Sequence, residues 1–123
     1  MERVVGIGGI FFRAKDPISL ATWYDAHLGI NPAPTDMTTP PWVSKEGVTV
    51  FGPFANDTDY FPADRQFMLN FRVENLDAML AQLRAAKIEV VREEEIDGIG
   101  RFARIHDPEE NPIELWEPIS KAV

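Results

Sequence analysis

The stretch IHDPEENPIELWEP, Ile105 to Pro118, sets a histidine, an aspartate and four glutamates around the run Ile113-Glu114-Leu115-Trp116. It has the look of a metal site or an acid/base pair. Local chemistry divides it instead. Asp and Asn side chains bond their own backbone and Pro presets φ, so Asp107-Pro108-Glu109-Glu110-Asn111 predicts a turn. Pro112 to Pro118 alternates apolar and polar residues, which predicts a strand. Successive strand side chains face opposite ways, so Glu114 and Trp116 share one face and Ile113 and Leu115 the other. The acids of the turn, Asp107, Glu109 and Glu110, are expected to face water. Glu117 turns away from Glu114 if the strand stays regular to its end. One carboxylate, Glu114, is left flanked by apolar neighbours. There it must be ion-paired, hydrogen-bonded or shifted upward in pKa.

Working outward, RFARIH (101–106) and EVVREEEI (89–96) read as strands joined by the turn DGIG. The charge run REEEID is most simply a solvated strand or turn. Before it, ENLDAMLAQLRAAKI predicts a helix capped at Asn75, with Leu76, Met79, Leu80 and Leu83 on one face. FMLNFRV (67–73) precedes that helix as a strand. The N-terminal half repeats the order. VVGIGGIFFRA has the β-branched and aromatic content of a buried strand. Asp16 then caps a helix with Pro17 at its first position, and Gly29 supplies the left-handed stop. WVSKEG and VTVFGPF read as two short strands. NPAPTDMTTPP (31–41) and ANDTDYFPADRQ (55–66) are loops without periodicity.

The two halves match in letters. One offset carries Phe12-Arg13 onto Phe71-Arg72 and the cap Asp16 onto the cap Asn75. A second carries VTVFGP (48–53) onto IELWEP (113–118). Cap positions that coincide between a strand and a helix point to a duplicated βαβββ unit, spanning about 4–54 and 66–119 within a single domain, 1–123.

Bulk properties bound the function. The 123 residues suit one domain, and 45% apolar content is enough for a core. The net charge of −8 argues against nucleic-acid binding, which needs a basic face, and suits plain solubility or a cationic ligand. Cysteine is absent, which removes disulfides, thiol nucleophiles and cysteine metal sites and fits a cytoplasmic location. No apolar run is long enough to span a membrane, and no signal-peptide core follows MERVVGIGG.

GGIFFRAKDP…WYDAHLGI, FMLNFRVENLDAMLAQLRAAKIEV and DPEENPIELWEP together resemble the vicinal oxygen chelate superfamily of glyoxalase I, bleomycin-resistance proteins and extradiol dioxygenases. The resemblance covers nearly the whole chain. It implies an α+β fold in which two tandem βαβββ units form a curled mixed-sheet cup with helices on the outer face. It also implies a homodimer and a ligand in the cup. Metal-dependent members place a His or Glu at four cup positions, which fall here on Gly9, Thr49, Met68 and Glu114. Glycine has no side-chain donor, methionine suits hard divalent ions poorly and threonine is weak. No catalytic metal or other cofactor is therefore expected. His27 suits the C-terminal end of its helix, and His106 suits the rim of a turn. In the family turn a glycine precedes the asparagine. Glu110 stands there, so a left-handed backbone would strain it.

If Gly9 faces the cup, alternation adds Phe11 and Arg13 from the first strand. Thr49 and Phe51 join from the fourth, and Met68, Asn70 and Arg72 from the second unit. Glu114 and Trp116 come from the last strand, with Arg104, and Phe102 where the register allows. The aromatics suit a small organic ligand, cationic or aromatic, and equally suit a filled core. The loops carrying Trp42 and Tyr60-Phe61 are candidate lids. Three functions stay open. One is a metal-free small-molecule binder. A second is an enzyme, either an isomerase or lyase of the lactoylglutathione-lyase type or a metal-independent acid/base catalyst with Glu114 as catalytic residue. The third is an interaction domain whose cup is only a core.

Overall fold

The computed structural model describes residues 1–33 and 38–119; residues 34–37 of the proline-rich candidate lid lie outside the described residues. The elements run α1 (Pro17–Leu28), β1 (Leu69–Arg72), α2 (Leu76–Ala85), β2 (Arg92–Ile96), β3 (Gly100–His106) and β4 (Pro112–Pro118). Both helices begin as the caps predict. The Asp16 side chain accepts from the Ser19 amide at 3.1 Å, and Asn75 accepts from the Ala78 amide at 2.9 Å. Each satisfies a donor that the first turn leaves unpaired. α1 stops at Gly29, whose φ of 71° lies in the left-handed region. α2 ends without a glycine, and Lys87 takes the left-handed position at φ 63°.

The second unit is a complete βαβββ motif. Its four strands form one mixed sheet in the order β1-β4-β3-β2. β1 runs parallel to β4, and β4-β3 and β3-β2 are antiparallel. Both helices pack on one face. Leu20 and Tyr24 of α1 and Leu76, Leu80 and Leu83 of α2 close over Ala103, Ile105, Ile113 and Leu115. Period-two alternation on β3 and β4 sorts these apolar side chains from Arg104, Glu114 and Trp116, which face the other way. The domain is thus α+β, with helices on one side of a mixed sheet.

The sheet does not close into a cup. The N-terminal stretch 4–14 and the stretches 42–47 and 48–54, expected as strands, form none. Their apolar side chains stand in water: Val5 is 100% exposed, and Phe11 and Phe51 are each 91% exposed. A strand exists only when a neighbouring edge takes its backbone hydrogen bonds. These stretches have the side chains of a strand but no such edge among the described residues.

The acidic stretch at the end of the chain is where expectation and structure differ most instructively. Asp107 does not face water; it is 2% exposed. Its carboxylate accepts from the amides of Glu109 and Asn111 at 2.8 and 3.0 Å, the Asn111 amide side chain at 2.8 Å, and the buried Tyr24 hydroxyl at 2.7 Å. It holds the turn shut and ties α1 to it. Glu109 accepts from the amides of Lys15 and Asp16, at the entry to α1. Glu117 accepts from the Leu76 amide at 2.8 Å, at the entry to α2. Both carboxylates sit where helix dipoles favour negative charge.

Glu110 adopts φ 67°. A left-handed conformation costs a side-chain-bearing residue about 1–2 kcal/mol, and glycine's larger unfolded-state entropy returns part of that. Glu110→Gly is therefore expected to stabilise the domain by about 0.5–1 kcal/mol. A higher midpoint in urea denaturation with unchanged slope is the expected observation, and an unchanged or lower midpoint would contradict it.

Candidate functional site

The face of the sheet opposite the helices carries two rungs of side chains, each running across all four strands. In the first, Asn70 pairs with Glu114, Glu114 with Arg104, and Arg104 with Arg92. In the second, Arg72 pairs with Trp116, Trp116 with Phe102, and Phe102 with Glu94. Charge gathers on the first rung. Two of its members are buried in spite of it: Glu114 is 7% exposed and Arg104 is 6% exposed.

What makes that burial tolerable is Tyr60, supplied by the loop between Phe54 and Phe67. Its hydroxyl donates to Glu114 Oε2 in a short hydrogen bond and lies 3.2 Å from Glu94 Oε1. The other oxygen of Glu114 accepts from Asn70 Nδ2 at 2.8 Å. The Tyr60 ring lies 4.8 Å from the Arg92 guanidinium carbon and 5.0 Å from that of Arg104, within cation–π range. Phe54 stacks on it at 5.4 Å and 19°. Arg104 Nη2 also donates to the Tyr60 carbonyl at 2.9 Å. One donor is left over: among the described residues, the buried Nε of Arg104 has no partner. The slot lined by Arg92, Glu94, Phe102, Arg104 and Glu114 has no room for a water molecule. A larger groove of about 410 Å³ lies at the Glu95–Gly100 end of the β2–β3 hairpin and shares no residue with that slot.

Burial raises the Tyr60 phenol above the ordinary tyrosine range, and the Glu114 hydrogen bond and the Glu114 and Glu94 charges add to the effect. Burial does the same to Tyr24, reinforced by its bond to Asp107. These are the two tyrosines of the chain. Unfolded tyrosines ionise near pH 10. A group that holds its proton more tightly when folded contributes fully below that pH and loses its contribution as pH rises through and beyond it. Stability is therefore expected to fall above about pH 10. Ultraviolet phenolate absorbance should stay silent until the chain unfolds, whereas a tyrosine titrating near pH 10 in the folded protein would contradict this.

The structure brings together Asn70, Arg104 and Glu114, with Trp116 on the adjacent rung, stacked on Phe102 at 5.9 Å. Arg72 shares the face, but its guanidinium donates to the Lys45 carbonyl at 2.9 Å and holds the segment around Ser44. Met68 is half-buried just ahead of β1. Phe11, Arg13, Thr49 and Phe51 do not join the site. They are exposed, because the stretches that carry them pair with no strand among the described residues. Arg92 and Glu94 belong to the site but were expected in a solvated run. The register of the β2–β3 hairpin, Ile96 opposite Gly100, is the signal that would have placed them. No three His, Asp or Glu side chains converge among the described residues as a metal site requires. Of the four positions that the resemblance implies for a metal, Gly9, Thr49, Met68 and Glu114, only Glu114 carries a strong oxygen donor.

A mixed sheet with helices packed on one face makes this an α+β domain. The chain belongs to the glyoxalase-like family: the model of the glyoxalase-like domain matches residues 9–116. Among solved structures, TnmS3, an antibiotic binding protein from Streptomyces sp. CB03234, aligns over 85% of this chain and 88% of its own at 23% identity, with a TM-score of 0.56. The glyoxylase/bleomycin resistance protein/dioxygenase domain from Frankia sp. EAN1pec aligns over 48% of this chain and 50% of its own, at 20% identity and a TM-score of 0.40. The glyoxalase family protein from Enterococcus faecalis aligns over 52% of each chain, at 28% identity and a TM-score of 0.41. This chain thus spans about half the length of the latter two. No curated protein shows significant similarity to it. Among the described residues no helix is long and apolar enough to cross a membrane.

Proposed function

We propose that this protein is a metal-free member of the glyoxalase-like family that binds a small organic ligand on the Glu114 rung, as a homodimer. One observation carries the reading. A buried carboxylate and a buried guanidinium lie side by side on a sheet face roofed by a loop rather than by a helix or strand. A core built only for stability gains little from such groups, since similar apolar side chains are often at least as stable there. A binding site needs them to orient polar atoms of a ligand. The description of TnmS3 as an antibiotic binding protein supports the same class of function. The exposed apolar stretches around Phe11 and Phe51 support a second copy as their neighbour, because apolar exposure on that scale marks an association surface.

A thermal-shift screen of small aromatic compounds tests the binding. A compound that raises the melting temperature and leaves the solution unchanged supports it; conversion of that compound to product would transfer the site to metal-independent acid/base catalysis. Near-stoichiometric zinc, nickel, iron or manganese in protein purified without chelators would overturn the metal-free part. A monomer at micromolar concentration by sedimentation would overturn the homodimer.

A further inference from the structure

We infer that Tyr60 is a built-in occupant of the ligand site, and that the ligand which displaces it is a hydroxylated aromatic. The inference rests on the binding reading above and adds the ligand's chemistry. The side chain that fills the slot displays what the slot recognises. A phenol hydroxyl is met by the Glu114 carboxylate, with Glu94 3.2 Å away. Its electron-rich ring is met by the Arg92 and Arg104 guanidinium groups and the face of Phe54. Carboxylate acceptors select a ligand with an O–H to donate, and cations over the ring select a negative π face.

Two features mark Tyr60 as replaceable rather than as part of the sheet. It comes from a loop, and it is only part-buried, whereas Glu114 and Arg104 beneath it are buried. It also leaves the site's donors incompletely used, because the buried Nε of Arg104 has no partner among the described residues. A hydroxylated aromatic with a carbonyl or second oxygen would meet the same carboxylate and also satisfy that donor. Buried polar groups are rarely left unpaired, so an unpaired one beside a filled slot points to a better-matched occupant.

The test uses p-cresol, which is the tyrosine side chain itself, and toluene, which lacks the hydroxyl. Binding to the wild-type chain, Tyr60→Phe and Tyr60→Ala is measured by calorimetry, with folding checked by circular dichroism. Tyr60→Ala is expected to bind p-cresol at least tenfold more tightly than the wild type, and toluene at least tenfold more weakly than p-cresol. Tyr60→Phe, which keeps the ring and the fold, is expected to fall between the wild type and Tyr60→Ala. Equal p-cresol affinity in all three proteins, or equal affinity for toluene and p-cresol, would overturn the inference. So would a screened ligand that binds the wild type while the hydrogen exchange of residues 55–65 stays unchanged; the binding reading would then survive. If p-cresol fills Tyr60→Ala but nothing in the screen binds the wild type, Tyr60 is a permanent part of the core, and the binding reading falls with the inference.

Discussion

Asp107→Ala is expected to lower the stability of the domain by about 3–4 kcal/mol, read as a lower midpoint in urea denaturation. The estimate follows from what the carboxylate holds. It accepts the Tyr24 hydroxyl, two amides of the turn and the Asn111 side chain, all at 3.0 Å or less. A buried donor that loses its acceptor costs about 1–3 kcal/mol, and the Tyr24 hydroxyl, carried by α1, donates to Asp107 in a buried bond. The loss of the turn's own bonds adds to it. Asp107→Asn keeps one oxygen and most of the shape, and should cost about half as much. A loss below about 1 kcal/mol for the alanine variant would mean that the turn is held by something else.

The second large effect is at Glu114. Replacement by alanine removes the acceptor of both Asn70 and Tyr60 and leaves Arg104 and Arg92 adjacent on the rung with no carboxylate between them and Asn70. Leaving the Tyr60 and Asn70 donors without their charged acceptor costs about 1–3 kcal/mol each when buried; the exposed flank of the rung holds the total to about 2–3 kcal/mol. Glu114→Gln keeps the shape and should cost about 1 kcal/mol. Both variants should release the loop around Tyr60, seen as faster hydrogen exchange between residues 55 and 65. In the Tyr60→Ala background, Glu114→Ala should also cut p-cresol affinity by about tenfold or more, the worth of one hydrogen bond to a charged acceptor. Unchanged exchange at Tyr60 in Glu114→Ala would show that the loop is held without the carboxylate.

Much of the fold was legible because its signals are local. The caps at Asp16 and Asn75, Pro17 at the first helical turn and Gly29 past the last each act within a few residues, and the two helices begin where they indicate. The alternation Ile113-Glu114-Leu115-Trp116 assigned faces on β4 for the same reason. The N-terminal strands illustrate the opposite case. VVGIGGIFFRA and VTVFGPF have strand composition, but a strand also needs an edge, which is a property of distant sequence or of another chain. The site was legible only along strands. Asn70, Arg104 and Glu114 follow from period two; Arg92 and Glu94 required the hairpin register, and the loop of Tyr60 has no period from which to place a side chain. Asp107 was misjudged because a carboxylate in a turn is usually solvated, and nothing in the neighbouring letters reveals that Tyr24, far off in sequence, comes to meet it.

The last stretch of the sheet also sets when this protein can fold. β4 lies between β1 and β3, Asp107 and Glu109 just ahead of it anchor α1, and Glu117 within it anchors α2. On the ribosome, a chain made only as far as Asn111 has neither the strand that joins β1 to β3 nor the covering for its helices. Contacts that span so much sequence form late, so the apolar faces of both helices stay open until β4 has been made. That interval is when aggregation competes with folding and when a chaperone would matter most.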